Sequence, residues 1–177
     1  MRRLLLLRHA KAAPYSGGGD SERPLTERGR RDAAMMGRYI AAQGLAPDTA
    51  VASSARRTRE TLDCVCEQFA VTPTIYIEPA LYLAEPETLL THLRRTPAKT
   101  LTLLAIGHNP GIAEMAVALT GGGDLDARDR IVHKYPTCSL SAFEFNFDDW
   151  RLARFGGAKL LRFATPRDLR ASPFGAD

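Results

Sequence analysis

Four consecutive leucines, Leu4 to Leu7, open the chain and give way at once to Arg8, His9, Ala10 and Lys11. An apolar run of this length without alternation reads as a strand buried on both faces, as in the middle of an α/β sheet. A buried helical turn would share the pattern, but the run is short and ends abruptly in polar residues, which favours a strand. A second such run, Thr100 to Ile106, leads directly into Gly107-His108-Asn109-Pro110-Gly111. Asp48 to Ala52 and Thr74 to Glu78 read as further short strands. Helical patterns fall between them. Thr26 is placed to cap a helix in which Ala33, Met36, Gly37, Ile40 and Ala41 recur on one face, with Gly44 as its stop. Ser54 is the expected N-cap of a second helix, which continues through Leu62, Val65, Cys66 and Phe69. Pro86 suits the first turn of a third, ending near Arg94, and Ile112 to Leu119 forms a fourth.

The remainder is less regular. Residues 12–24 read as a loop marked by Pro14, Gly17 to Gly19 and Pro24. Its glycines lack the Gly-Lys-Ser/Thr of a P-loop, so flexible connection is the expected role. Gly121 to Arg130 is expected to be a mobile connection. Cys138 to Phe147 and Ala158 to Phe163 read as two strands of an antiparallel addition at the sheet edge, and residues 165–177 as a weakly ordered tail. Strands alternating with helices predict an α/β sandwich around a mostly parallel sheet, in a single domain over residues 1–164.

Length and composition fit that picture: 177 residues, 45% hydrophobic and 25% charged, suit one soluble domain with a sizeable core. No apolar run approaches the roughly twenty residues of a membrane span or the seven to fifteen of a secretory signal, so a cytoplasmic protein is expected. Cys64, Cys66 and Cys138 are odd in number and form no C-x-x-C pair, which argues against a metal site or a disulfide framework. The net charge is +4, and lysine occurs only at 11, 99, 134 and 159, so the positive charge is almost all arginine. Arginine suits bidentate binding of phosphate or carboxylate. No basic run interleaved with aromatics appears, which argues against nucleic acid.

Three polar clusters follow predicted strands, where an open α/β sheet binds its ligands. Arg8 and His9 leave the first strand. Arg56, Arg57 and Arg59 open the helix after the second, opposing the dipole there by ~0.3–1 kcal/mol each unless an anion is held, with Arg57 the first choice to hold it. His108 follows a sharp turn at Gly107, beside the free N–H groups of a helix start. The alternative reading is a set of solvated strand exits and a basic helix face paired in part with Glu60. Two histidines at corresponding strand ends, each flanked by anion-binding features, weigh against it.

Arg8-His9-Ala10-Lys11, Arg57 within Ser54-Ala55-Arg56-Arg57-Thr58, and Gly107-His108-Asn109-Pro110-Gly111 resemble the histidine phosphatase superfamily, and more narrowly its small SixA-like phosphohistidine phosphatase branch. Asp20 to Gly29 and Tyr135 to Leu140 extend the likeness, which covers residues 3 to about 163. The resemblance implies a phosphoglycerate-mutase-like three-layer sandwich with an antiparallel edge and no large cap, so that a shallow, open cleft could accept a side chain on another protein. It implies His9 as nucleophile, with Arg8, Arg57 and His108 around the phosphoryl group. Asn109 and Lys11 join the expected substrate-binding set.

The chemistry is consistent with those residues. Neighbouring cations should keep His9 neutral, and one ring nitrogen should donate to a backbone carbonyl so that the other can attack. His108 is expected to be protonated against the substrate dianion. The arginines supply the positive charge, so no metal or other cofactor is expected. Glu78 and Glu85 are the candidates for a general acid, with solvated loop carboxylates as the favoured alternative. The expected substrate is phosphohistidine on a phosphoprotein. A small phosphorylated molecule on the same site is the runner-up, and a non-catalytic phosphate-binding scaffold fits poorly. Neither a membrane nor nucleic acid is expected as a partner, and a monomer or weak homodimer is.

Overall fold

The computed structural model describes residues 1–15 and 17–171. The leucine run forms β1 (Arg2–Arg8), and strand alternation sends Leu4 and Leu6 into one core and Leu5 and Leu7 into the other. None is more than 1% exposed. Each such leucine contributes roughly 1.5–3 kcal/mol of burial. β1 pairs parallel with β4 (Thr102–Gly107) and antiparallel with β6 (Leu140–Phe145). On the β4 side, β2 (Thr49–Ser53) and β3 (Thr74–Glu78) extend the sheet in parallel. On the β6 side come β7 (Ala158–Ala164), antiparallel to β6, and β5 (Thr120–Gly123), parallel to β7. The order is β3-β2-β4-β1-β6-β7-β5. Among the described strands, β6 alone runs against the rest.

Helices cover both faces. α1 (Glu27–Ala42), α2 (Arg56–Cys66) and α6 (Pro166–Ala171) pack on the Leu5 and Leu7 side. α3 (Pro86–Arg94), α4 (Gly111–Leu119) and α5 (Leu125–His133) pack on the Leu4 and Leu6 side. Thr26 caps α1 as expected, its hydroxyl accepting from Gly29 N at 3.0 Å. The α4 N-terminus lies so close to the chain at Ala84 that a Cβ on Gly111 would stand 1.9 Å from the Ala84 carbonyl oxygen. That approach seats the 82–85 loop beside the β4 exit. Among the described residues, no helix is long and apolar enough to cross a membrane.

Four local expectations are corrected. Ala41 is exposed, because the buried stripe of α1 ends at Ile40. The N-cap of α2 is Ala55 rather than Ser54, and no side chain caps it. The expected mobile connection after Gly121 is ordered. Its glycines form β5, in which a Cβ on Gly123 would strike the Leu160 carbonyl, and α5 follows with Asp124 as cap and Ala127 and Ile131 buried. The expected tail begins as α6. There Thr165 N donates to Asp168 Oδ2 at 2.9 Å and Asp168 N to Thr165 Oγ1 at 3.2 Å, a reciprocal cap. Leu169 is buried, and Arg170 pairs with Asp32 of α1 at 2.5 Å. Residues 172–177 lie outside the described residues.

Replacing Leu5 by alanine is expected to lower unfolding free energy by about 2–5 kcal/mol through lost burial and a cavity. Gly111→Ala is expected to cost about 1–3 kcal/mol through the clash with Ala84. Urea titrations with unchanged m-values measure both.

Candidate active site

The site is set by the register of β1 on β4. Arg8 stands opposite Gly107, and His9 N donates to the Gly107 carbonyl at 3.1 Å, so the residues beyond the two strand ends meet. The His9 and His108 rings lie 5.3 Å apart between centroids. α2 is tied to the same place. Ala10 N donates to Thr61 Oγ1 at 3.0 Å, and that hydroxyl donates to the Arg57 carbonyl at 2.6 Å. Arg57 is only 3% exposed and reaches His108, its Nη2 standing 3.2 Å from His108 Nδ1. From the other side, Arg8 Nη1 donates to the Tyr135 carbonyl at 2.8 Å, and Asn109 Nδ2 to the same oxygen at 3.0 Å. The result is a cleft of about 380 Å³ at the carboxyl ends of β1 and β4, bordered by Arg8, His9, Arg57, His108 and Asn109, with Lys11 exposed at its rim.

Residues 4–82 match the profile of the histidine phosphatase superfamily (branch 1). An uncharacterized protein of Mycobacterium tuberculosis H37Rv is 34% identical over 163 residues, covering 91% of this chain and all of its own. The chain belongs to the histidine phosphatase superfamily. Its SixA-like character is seen in solved structures. A candidate phosphohistidine phosphatase SixA from Nakamurella multipartitia superposes with a TM-score of 0.80 at 28% identity, over 93% of this chain and 96% of its own. A candidate SixA from Agrobacterium tumefaciens gives 0.78 at 26% identity, over 93% and 98%.

Hydrogen bonds fix the proton positions in this histidine phosphatase. His9 Nδ1 lies 2.8 Å from the Ala10 carbonyl, an obligate acceptor, so Nδ1 carries the proton and Nε2 keeps its lone pair. The His108 tautomer follows from a chain of hydroxyls. Thr58 has one hydroxyl proton, and backbone carbonyls of Ser53 and Ala55 at 2.8 and 2.7 Å take it. Ser53 Oγ, 2.9 Å from Thr58 Oγ1, must therefore donate to Thr58. Ser53 then accepts from His108 Nε2 at 2.6 Å, which leaves His108 Nδ1 as the acceptor of the Arg57 N–H.

Electrostatics agree with two neutral rings. Burial, aided by His108, Arg57 and Arg8, pushes His9 down to about 3. Burial, aided by Arg57, pushes His108 down to about 4. The expectation that neighbouring cations keep His9 neutral is thus met chiefly by desolvation, with the cations adding to it. In the free protein the His108 ring is neutral, because it is buried and faces a guanidinium; the expected proton on it belongs to the substrate-bound state. Arg8 makes no ion pair among the described residues, and burial lowers its pKa. Buried donors at Arg8 Nε and Arg57 Nε have no partner. An anion in the cleft would satisfy the charge.

Glu78 and Glu85 are not brought to the cleft. Glu78 ends β3 and borders a separate apolar pocket on the α3 side of the sheet, and Glu85 precedes α3 as its N-cap. The carboxylate that does border the cleft is Asp20, from a 3₁₀ turn over Asp20–Glu22. It accepts from Arg57 Nη2 at 2.8 Å, Tyr82 OH at 2.6 Å and Arg23 Nη1 at 3.0 Å. Those bonds, Tyr82 first, hold its pKa far below the usual carboxylate range. Pattern reading noticed Asp20 and Arg23 only as part of the wider resemblance. Tyr82, Ser53 and Thr58 carried no sequence signal, since hydroxyls near strand ends are common.

The two imidazoles are expected to stay neutral, with no titration between pH 8 and 5, His9 as the Nδ1–H tautomer and His108 as the Nε2–H tautomer. Nitrogen and carbon NMR of the rings measures this, and a midpoint near 6.5 for His9 would contradict it. In the unfolded chain both rings protonate near pH 6.5. Their depressed folded values therefore predict that stability is unaffected by them above that pH and falls as pH drops toward 4 and 3.

Proposed function

We propose that this protein is a metal-independent phosphatase that forms a phosphohistidine intermediate on His9 and takes its phosphoryl group from phosphohistidine on proteins. The observation that carries the reading is the orientation of His9: its proton is committed to Ala10 and its free Nε2 faces a cleft bordered by Arg8 and Arg57. Phosphoryl transfer depends mainly on positioning and on stabilising charge at the equatorial oxygens. Two guanidinium groups do both, each through paired N–H donors, and supply the positive charge that a metal would otherwise bring. Attack by Nε2 makes the His9 ring formally cationic while the phosphoryl group is bound. The Ala10 carbonyl stabilises that charge through Nδ1–H. Water then attacks phosphorus, and the ring leaves with its proton where it began.

His108 enters as a neutral ring. Taking a proton at Nδ1 requires the arriving phosphate dianion to outweigh its burial and Arg57, and the ring then donates to a phosphoryl oxygen. Asn109 and Lys11 would contact the substrate at the edge of the cleft.

Two observations support a macromolecular phosphohistidine over a small phosphate ester. The rim is open, with Lys11 and Leu83 exposed beside the catalytic rings. No glutamate among the candidates reaches the cleft as an acid. An alkoxide needs such a donor, whereas an imidazole protonated at its distal nitrogen leaves without one. The likeness to candidate SixA phosphohistidine phosphatases points the same way.

Brief incubation with a labelled histidine-phosphorylated protein is expected to yield an acid-labile, base-stable phosphoryl group on His9. His9→Ala is expected to abolish both labelling and turnover, and full turnover by that variant would sink the mechanism. Arg57→Ala is expected to lower kcat about 10²–10³-fold, as loss of a charge-stabilising donor does. Faster hydrolysis of sugar phosphates than of phosphohistidine protein would reassign the substrate class.

A further inference from the structure

Phosphohistidine hydrolysis by this site is a transfer between two imidazoles, and the two rings face the same requirement. A phosphorylated imidazole is a good leaving group only when its distal nitrogen carries a proton. Otherwise an imidazolate must depart. His9 meets the requirement through the Ala10 carbonyl, which accepts from its distal N–H. The substrate ring needs an acceptor of its own on the cleft side.

We propose that Asp20 is that acceptor: its carboxylate takes the distal N–H of the substrate's phosphoimidazole and so selects P–N over P–O substrates. The inference rests on the phosphohistidine reading above. Asp20 is the one acidic residue bordering the cleft among the described residues. A carboxylate offers about four lone-pair sites. Arg57 and Tyr82 occupy Oδ2 and Arg23 occupies part of Oδ1, which leaves an acceptor site on a side chain 44% exposed. Of the other side-chain acceptors at the cleft, Asn109 Oδ1 has no partner but is shut off from solvent, and the Thr137 hydroxyl is neutral and so stabilises a protonated ring less than a carboxylate does.

The groups around Asp20 suit an acceptor and not an acid. Arg57 comes from α2, Tyr82 from the loop after β3, and Arg23 from the chain following its own turn. Arg8, His9, His108 and Lys11 face the same cleft from the β1 and β4 exits. Three hydrogen-bond donors hold the Asp20 carboxyl far below the usual carboxylate range, so near neutral pH it is ionised and has no proton to give an alkoxide. It is also repelled by the charge that grows on a departing oxygen. With an imidazole the balance is different. The substrate enters with its distal N–H held by Asp20. His9 Nε2 donates its electron pair to phosphorus, the P–N bond breaks, and its pair returns to the leaving nitrogen. A neutral imidazole departs with the distal proton still in place. By stabilising the protonated ring, Asp20 raises the pH up to which that form persists.

The test compares wild type, Asp20→Asn and Asp20→Glu on phosphoimidazole and on p-nitrophenyl phosphate. An ionic hydrogen bond is worth about 10- to 100-fold. Asp20→Asn is expected to lose that much more kcat/KM on phosphoimidazole than on the aryl ester. The alkaline limb of its phosphoimidazole profile is expected to move to lower pH, and Asp20→Glu to restore part of the difference. An equal loss on both substrates with an unmoved pH limb would mean that Asp20 only holds Arg57, and would overturn the proposal. No loss on phosphoimidazole would overturn it as well. Wild-type protein inert toward phosphoimidazole yet active on the ester would instead overturn the phosphohistidine reading, and this inference with it. Burst labelling of His9 by the aryl ester shows that each variant is folded.

Discussion

The parallel pairing of β1 with β4 is the constraint from which the site follows. In that register Arg8 lies beside Gly107, and one residue beyond each strand end His9 stands beside His108. A slip by one residue would turn Leu5 and Leu7 out of their core and into the other. Because β1 is buried on both faces, that slip is opposed by two cores at once. The hydrophobic effect, which has no directional preference of its own, thereby fixes the relative position of two imidazoles to within a contact distance.

Burial that stabilises the sheet also sets the chemistry. The rings stand where the strands leave the core, so they are desolvated enough to remain neutral and near enough to the rim to meet a substrate. The arginines differ in how their charge is managed. Arg57 is tied to Asp20 and to His108, whereas Arg8 donates to one backbone carbonyl and meets no anion among the described residues. A phosphoryl group entering the cleft therefore meets one guanidinium already oriented by a carboxylate and one whose charge is uncompensated. The hydroxyl relay from His108 through Ser53 to Thr58 ends on backbone carbonyls. That termination gives the second histidine a single tautomer in the free protein.

Close backbone approaches complete the frame. Gly111 lets α4 start against Ala84, and Gly29 lets α1 start against the Lys11 carbonyl, where a Cβ would stand 2.2 Å from the oxygen. Both helices begin next to segments that border the cleft. The loop that brings Tyr82 to Asp20 is thus held by packing some distance from the hydrogen bonds it makes.

The amino-acid pattern by itself determined the buried strands, the alternation with helices and the three strand-exit clusters. Such features depend on local periodicity and on residue types whose chemistry is narrow, as with Arg8, His9, Arg57 and His108. The glycine-rich segment at 121–123 and the start of the C-terminal segment were not legible in the same way. β5 and α6 are stabilised by partners distant in sequence, Leu160 on β7 and Asp32 on α1, and only the reciprocal cap of Thr165 and Asp168 was present locally. The carboxylate at the cleft was decided by tertiary structure alone. Glu78 and Glu85 follow strands and turns as convincingly as Asp20 does, but which acid reaches the imidazoles depends on how the turn Asp20–Glu22 packs against α2. That packing is set by contacts between segments tens of residues apart, and no local pattern encodes it.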